Sequence, residues 1–141
     1  MPYPELMVRP MREELTSLGV EELRDAQAVD DFMSRAGTAM LVVNSVCGCA
    51  AGQARPGVRL ALASENRPER TGTVFAGQDL EATQRARGYF ADIPPSSPSV
   101  ALFKDGELVY FLPRHRIESR TAEQVAADLS AAFERELAPT A

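Results

Sequence analysis

The chain has 141 residues, 45% of them hydrophobic, which suffices for one buried core and one domain spanning 1–141. Its net charge of -5 and the interleaving of arginines with acids leave no basic face for a nucleic-acid backbone. No run of eighteen apolar residues occurs, and the opening MPYPELMVRPMREEL breaks its apolar residues with charge and proline, so neither a membrane span nor a secretory leader is expected and the expected location is cytoplasmic.

Met11, Leu15 and Leu18 recur at helical spacing in PMREELTSLG, which predicts a helix that starts or kinks at Pro10 and ends at Gly19. Val20 to Arg24 reads as a short extended piece. A second helix is expected over AQAVDDFMSRAG, with Val29, Phe32 and Met33 on one face and Gly37 closing it. TAMLVVN, residues 38–44, is a continuous apolar and β-branched run, the signature of a strand buried on both faces. Alanine content favours a helix from Ala50 to Ala63, with a kink or break at Pro56 and Gly57. TGTVFAG reads as the next strand, and DLEATQRARGYF as the next helix, with Asp79 as its cap. A strand from Ser99, a turn at Lys104-Asp105-Gly106 and the antiparallel partner ELVYFL form a hairpin. The last helix is capped near Thr121, carries Glu123 and Gln124 in its first turn and runs to about Leu137. This alternation predicts an α/β chain with a central mixed sheet and helices on both faces.

Cys47 and Cys49 are the only cysteines and stand two residues apart. So short a loop removes little entropy from the unfolded chain and makes a poor staple, whereas a close pair in a reducing compartment is more often redox-active or metal-binding. The pair follows a buried strand and precedes a helix, where open α/β sheets place their sites. A helix amino terminus stabilises a thiolate, which makes Cys47 the natural nucleophile. Residues i and i+2 of a regular helix point apart, so the two sulfurs must straddle a turn; Gly48 is expected to supply the backbone freedom for it, closing a strained, easily reduced ring. The alternatives are two small buried hydrophobes or a metal site. Two thiolates and His115 fall short of the four ligands of structural zinc, so no metal is expected. Pro98, read locally, is a strand-entry proline with an ordinary trans bond, a cis bond after Ser97 being the rarer alternative. His115 reads as a surface or partly buried side chain among arginines. Arg55, Arg114 and Arg116 are either solvated or open to an anionic substrate.

Four blocks in order, NSVCGCAAGQARP (44–56), VFAGQD (74–79), SSPSVALFKDG (96–106) and PRH (113–115), resemble the bacilliredoxins, and the match runs from about Pro10 to Phe133. The resemblance implies a thioredoxin-like fold and a Cys-Gly-Cys active site that reduces mixed disulfides between proteins and the low-molecular-weight thiol bacillithiol. It implies that Cys47 attacks and takes bacillithiol from S-bacillithiolated client proteins, with Cys49 as the resolving or modulating thiol and Gly48 as the turn. It also implies that Pro98 is a cis-proline facing that turn and that Ser97 offers backbone contacts to substrate. Bacillithiol enters as substrate rather than as a bound cofactor, and the implied partners are bacillithiol and client proteins, with neither nucleic acid nor membrane. A general protein disulfide reductase or isomerase, and a metal-binding or redox-sensing module, use the same two sulfurs and stand as alternatives. One departure is Arg116, where relatives are expected to carry an acid; its charge reads as an added attraction for the carboxylates of bacillithiol.

Overall fold

The computed structural model describes residues 2–137. In chain order the elements are α1 (Glu5–Thr16), β1 (Glu21–Glu22), α2 (Ala26–Ser34), β2 (Thr38–Asn44), α3 (Arg55–Ala61), β3 (Arg70–Phe75), α4 (Leu80–Gly88), β4 (Ser99–Lys104), β5 (Glu107–Leu112) and α5 (Ala122–Ala132). A wide π-turn, Ala50–Ala54, leads into α3, and another, Phe133–Leu137, continues α5. The strands form one sheet in the order β1-β3-β2-β4-β5. β1, β3 and β2 run parallel, β4 is antiparallel to both of its neighbours, and the expected mixed sheet is formed.

All seven residues of β2 are buried, because the strand has neighbours on both edges and helices on both faces. Its period-two alternation divides the core. Met40 and Val42 face α1, α3 and α5 through Leu15, Val58, Val125 and Leu129. Ala39, Leu41 and Val43 face α2 and α4 through Val29, Phe32, Ala82 and Ala86. The β4–β5 hairpin turns on Asp105 and Gly106, both at positive φ, as a two-residue turn requires. Thr121 and Gln124 close a reciprocal capping box at the start of α5. Among the described residues no helix is long and apolar enough to cross a membrane.

Four local expectations are corrected. α1 begins at Glu5, and Pro10 lies inside it. The carbonyl that Pro10 leaves without a donor belongs to Leu6, itself 76% exposed, so water can satisfy it. α2 ends at Ser34, and Gly37 instead makes the tight entry to β2, at φ +101° and tied to Asp105 by reciprocal hydrogen bonds. The break expected at Pro56 is taken up one turn earlier: the N–H of Arg55 bonds to the carbonyl of Ala50, five residues back, and this widening relieves the proline ring against the preceding turn. Asp79 stands at the start of α4 without capping it, because Arg12 takes both of its carboxylate oxygens, at 2.6 and 3.1 Å. Arg12, almost fully buried, also pairs with Glu5 and Glu22 and lies over the Phe75 ring, so it ties α1, β1 and the β3–α4 turn together.

At Gly57, α3 packs tightly against α5: a Cβ there would lie 2.6 Å from Val125 Cγ1 and 3.2 Å from the Ala122 carbonyl oxygen. Both obstacles belong to a packed helix, so Gly57→Ala is expected to destabilise the protein by about 1–3 kcal/mol. Urea denaturation checks this; an unchanged midpoint would contradict the close packing.

Candidate active site

Sheet register brings four segments to one end of the molecule. Asn44 of β2 pairs with Phe75 of β3, and Val43 pairs with Ser99 of β4, so the carboxyl ends of β2 and β3 meet the amino end of β4. Val100 pairs with Leu112, which adds the carboxyl end of β5. The segment 45–49, the β3–α4 turn, the loop 96–98 and the residues after β5 are thereby gathered around Cys47. The Ser97–Pro98 peptide bond in that loop is cis.

Cys47 stands just outside the helix that begins at Gly48, in the position of a helix cap. Its carbonyl accepts from the N–H groups of Ala50 and Ala51, and its sulfur accepts from the N–H of Cys49 at 3.4 Å. A sulfur in the place of a capping oxygen meets unpaired amide donors, which stabilise it as thiolate. Both cysteines are free thiols; Cys47 is partly exposed and Cys49 buried. Their acidities are pushed apart. The thiol of Cys49 donates to the Cys47 sulfur and, with the amide of Cys49, the charge of Arg114 and the amide of Ala50, holds Cys47 below the ordinary thiol range against the effect of burial. Burial foremost, and then the hydrogen bond and charge of Cys47, push Cys49 upward.

Beneath this turn is a polar layer that reading by motif does not single out. Arg55, 3% exposed, donates from Nη1 to Asn44 Oδ1 and to the Ser45 carbonyl, both at 2.9 Å. Its Nε lies 3.2 Å from Glu14 Oε1, off the line of the N–H, so that contact is an ion pair without a hydrogen bond. Asn44 Nδ2 reaches the Met11 carbonyl at 3.2 Å, and Ser45 Oγ accepts from the N–H of Cys47 at 3.2 Å. A buried guanidinium thus fixes the backbone two residues before the sulfur, and that backbone is fixed in turn to α1. Of the three arginines considered for an anionic substrate, Arg55 serves this support.

With both thiols free, Gly48 does not use the backbone freedom expected of it in a closed Cys47–Cys49 ring. It is absent from the positive-φ positions, and a Cβ on it would meet nothing within 4 Å. Its backbone needs no conformation closed to other residues, because Cys47 lies outside the helix and Cys49 in its first turn. What Gly48 supplies is a bare, exposed rim beside the sulfur.

An open cleft of about 430 Å³ holds Cys47, with Ser45, Val46, Ala76, Gly77 and Ser97 in its wall. Arg87, from the end of α4, Arg114, from the turn after β5, and Tyr3 complete it. Arg114 bonds Glu118 at 2.9 Å and reaches the Ser97 carbonyl at 3.4 Å. Arg116 does not face the cleft: it pairs with Asp128 at 3.5 Å, so the attraction read into its charge is corrected. His115 is exposed and lines a separate groove with Arg116 and Asp128. Among the described residues no three His, Cys, Asp or Glu side chains gather as a metal site would need.

A family model described as disulphide isomerase matches residues 3–136. A bacilliredoxin of Koribacter versatilis is 56% identical over 140 residues, covering 99% of this chain and 97% of its own length. A bacilliredoxin of Salinibacter ruber is 59% identical over 137 residues, covering 95% and 81%. The chain belongs to the bacilliredoxin family. Among solved structures, a mutant thioredoxin of Halobacterium salinarum matches with a TM-score of 0.59 over 86% of this chain and 93% of its own, at 16% identity, which shows the thioredoxin fold. The protein is a thiol-disulfide oxidoreductase of that fold.

Each of the four bacilliredoxin-like blocks contributes to the cleft: Ser45, Val46 and Cys47 from the first, Ala76 and Gly77 from the second, Ser97 from the third and Arg114 from the fourth. Tyr3 and Arg87 lie outside all four. Tyr3 is held by Gln78, whose amide oxygen accepts from the Tyr3 N–H at 2.7 Å and whose amide nitrogen donates to the Tyr3 carbonyl at 3.0 Å.

Two outcomes follow from this geometry. Cys49→Ala, which deletes the thiol donor, is expected to raise the pKa of Cys47 more than Cys49→Ser, which keeps a hydroxyl donor; thiolate absorbance near 240 nm against pH checks it, and equal shifts would contradict the hydrogen bond. Gly48→Ala, placed in open space at an ordinary helical φ, is expected to stabilise the fold by about 0.4–1 kcal/mol. Thermal denaturation checks this, and a clear loss of stability would show that the turn does need glycine.

Proposed function

We propose that this bacilliredoxin removes bacillithiol from S-bacillithiolated client proteins in the cytoplasm. The Cys47 thiolate attacks the bacillithiol sulfur of the mixed disulfide; a bond forms between Cys47 and bacillithiol, the client–bacillithiol S–S bond breaks, and the client leaves as thiolate. The observation that carries this reading is the asymmetry of the pair: Cys47 is partly exposed in the cleft and held toward thiolate, while Cys49 is buried and held toward thiol. Two cysteines with separated acidities suit an attacking group and a reserve group.

Cys49 then resolves or modulates. As resolving thiol it gives up its proton and attacks Cys47, forming a Cys47–Cys49 disulfide and releasing bacillithiol as the leaving thiolate. Gly48, bare above the helix, leaves room for the incoming disulfide, and the backbone of Ser97 beside cis-Pro98 supplies substrate contacts. The relatives' common name, bacilliredoxin, supports bacillithiol as the thiol, and no bound cofactor is needed for the exchange.

The test is intact-mass analysis of the reduced protein, Cys47→Ser and Cys49→Ser after incubation with a bacillithiolated client. The adduct is expected on Cys47, longest-lived in Cys49→Ser, with the client released and Cys47→Ser inert. Adduct-free protein in all three samples, alongside reduction of ordinary protein disulfides, would replace this reading with a general disulfide reductase.

A further inference from the structure

Thiol exchange needs a nucleophile and an open approach, and neither accounts for Arg87. The side chain extends from the last turn of α4 into the wall of the Cys47 cleft. It is partly buried, its Nε is shielded from solvent without a hydrogen-bond partner, and among the described residues its side chain makes one hydrogen bond, from Nη2 to the Ser96 carbonyl at 3.4 Å. Burial pulls its pKa down, and no carboxylate pulls it back. A guanidinium shielded from water with no counter-charge is costly.

Arg70 also has a shielded, unbonded Nε and no ion pair among the described residues, but it stands at the start of β3 and outside the cleft; the arginines in or beneath the cleft differ from Arg87. Arg55, Arg12 and Arg114 each have a carboxylate partner. The wall of the cleft contains Arg87 and Arg114 and no acid, so a ligand entering it meets net positive charge next to the Cys47 sulfur. Arg114 spends its Nε on Glu118, whereas Arg87 has no carboxylate partner among the described residues, and its terminal Nη1 and Nη2 end, engaged only by the 3.4 Å bond to Ser96, remains for a carboxylate.

We infer that Arg87 is the specificity-determining residue of the cleft, binding a carboxylate on the small thiol whose sulfur Cys47 attacks. This rests on the exchange proposed above and deepens it: the cleft selects small thiols that carry a carboxylate over neutral or cationic ones. The carboxylate belongs to the small thiol, because in the attack described it is the small thiol that becomes bonded to Cys47 and remains in the cleft while the client leaves.

The test uses the full chain with Cys49→Ser, so that the adduct stays on Cys47, and one single-cysteine carrier protein charged in turn with 3-mercaptopropionate (anionic), 2-mercaptoethanol (neutral) or cysteamine (cationic). Rates of adduct transfer are read by acid quench and intact mass, each divided by the rate with a small free thiol in solution to remove intrinsic reactivity. A charge-assisted hydrogen bond implies an anionic-over-neutral ratio of about tenfold. Arg87→Gln is expected to bring that ratio close to one, and Arg87→Lys, which keeps the charge and loses the fork, to leave it intermediate. The ratio is taken within each variant, so a general loss of activity does not imitate the effect. In the protein with Arg87 intact, added salt is expected to shrink the ratio, a measurement independent of how the variants fold.

A ratio that survives Arg87→Gln, or one near one with Arg87 present, would overturn the assignment; so would equal losses for all three adducts, which would place the carboxylate on the carrier. Transfer from none of the three would instead overturn the attack by Cys47, and this inference with it.

Discussion

The structure depends on a sulfur that serves as a helix cap. Cys47 receives the amide of Cys49 where Ser, Thr or Asp would usually offer oxygen, and the same contact that completes the helix also favours the thiolate. The cap can only form if the chain leaves β2 at a fixed point. That point is set by burial of the whole strand between two helical layers, and by Arg55, which grips Asn44 and Ser45 from below. Helix termination, strand burial and cysteine acidity are therefore one arrangement, and loosening Arg55 would disturb all three.

The same arrangement separates the two cysteines. Cys49, in the first turn of the helix, is drawn under the surface and held toward the thiol; Cys47, outside the helix, faces the cleft. Identical side chains two residues apart acquire different acidities because a helix end is polar and its first turn is packed. The cleft then adds positive charge from two directions, through Arg87 on α4 and Arg114 after β5. Arg12, although distant in sequence from the cysteines, holds the β3–α4 turn that forms one wall, and Gln78 in that turn fastens Tyr3 across it.

Features fixed by local chemistry were legible in the sequence. The TAMLVVN run announced a strand covered on both faces, the Lys104-Asp105-Gly106 turn a hairpin, and Thr121 with Gln124 a capped helix; the Cys-Gly-Cys spacing after the buried strand pointed to the candidate site. What escaped depended on partners far along the chain. Asp79 has the composition of a helix cap, but Arg12, 67 residues away, claims its carboxylate. Pro10 resembles a boundary, but its missing donor falls on the solvent side of α1. The π-turn before α3 reflects Pro56 together with close packing on α5. Arg87 was invisible for a different reason: a basic residue in the last turn of a helix is what the helix dipole favours anyway, so its composition carried no sign of a cleft. Arg114 and Arg116, two residues apart on one short helical turn, were indistinguishable until the fold turned one toward Cys47 and the other toward Asp128.

The central claim is that folding itself lowers the pKa of Cys47 and so favours its thiolate. It is tested most directly by following alkylation of each cysteine against pH, by mass, in the native protein and in the same protein unfolded in urea. Because the folded pKa of Cys47 lies below its unfolded value, its alkylation is expected to switch on at lower pH in the native protein, while Cys49 stays protected and reacts only at higher pH. Coincident native and unfolded profiles for Cys47, or earlier modification of Cys49, would contradict the account.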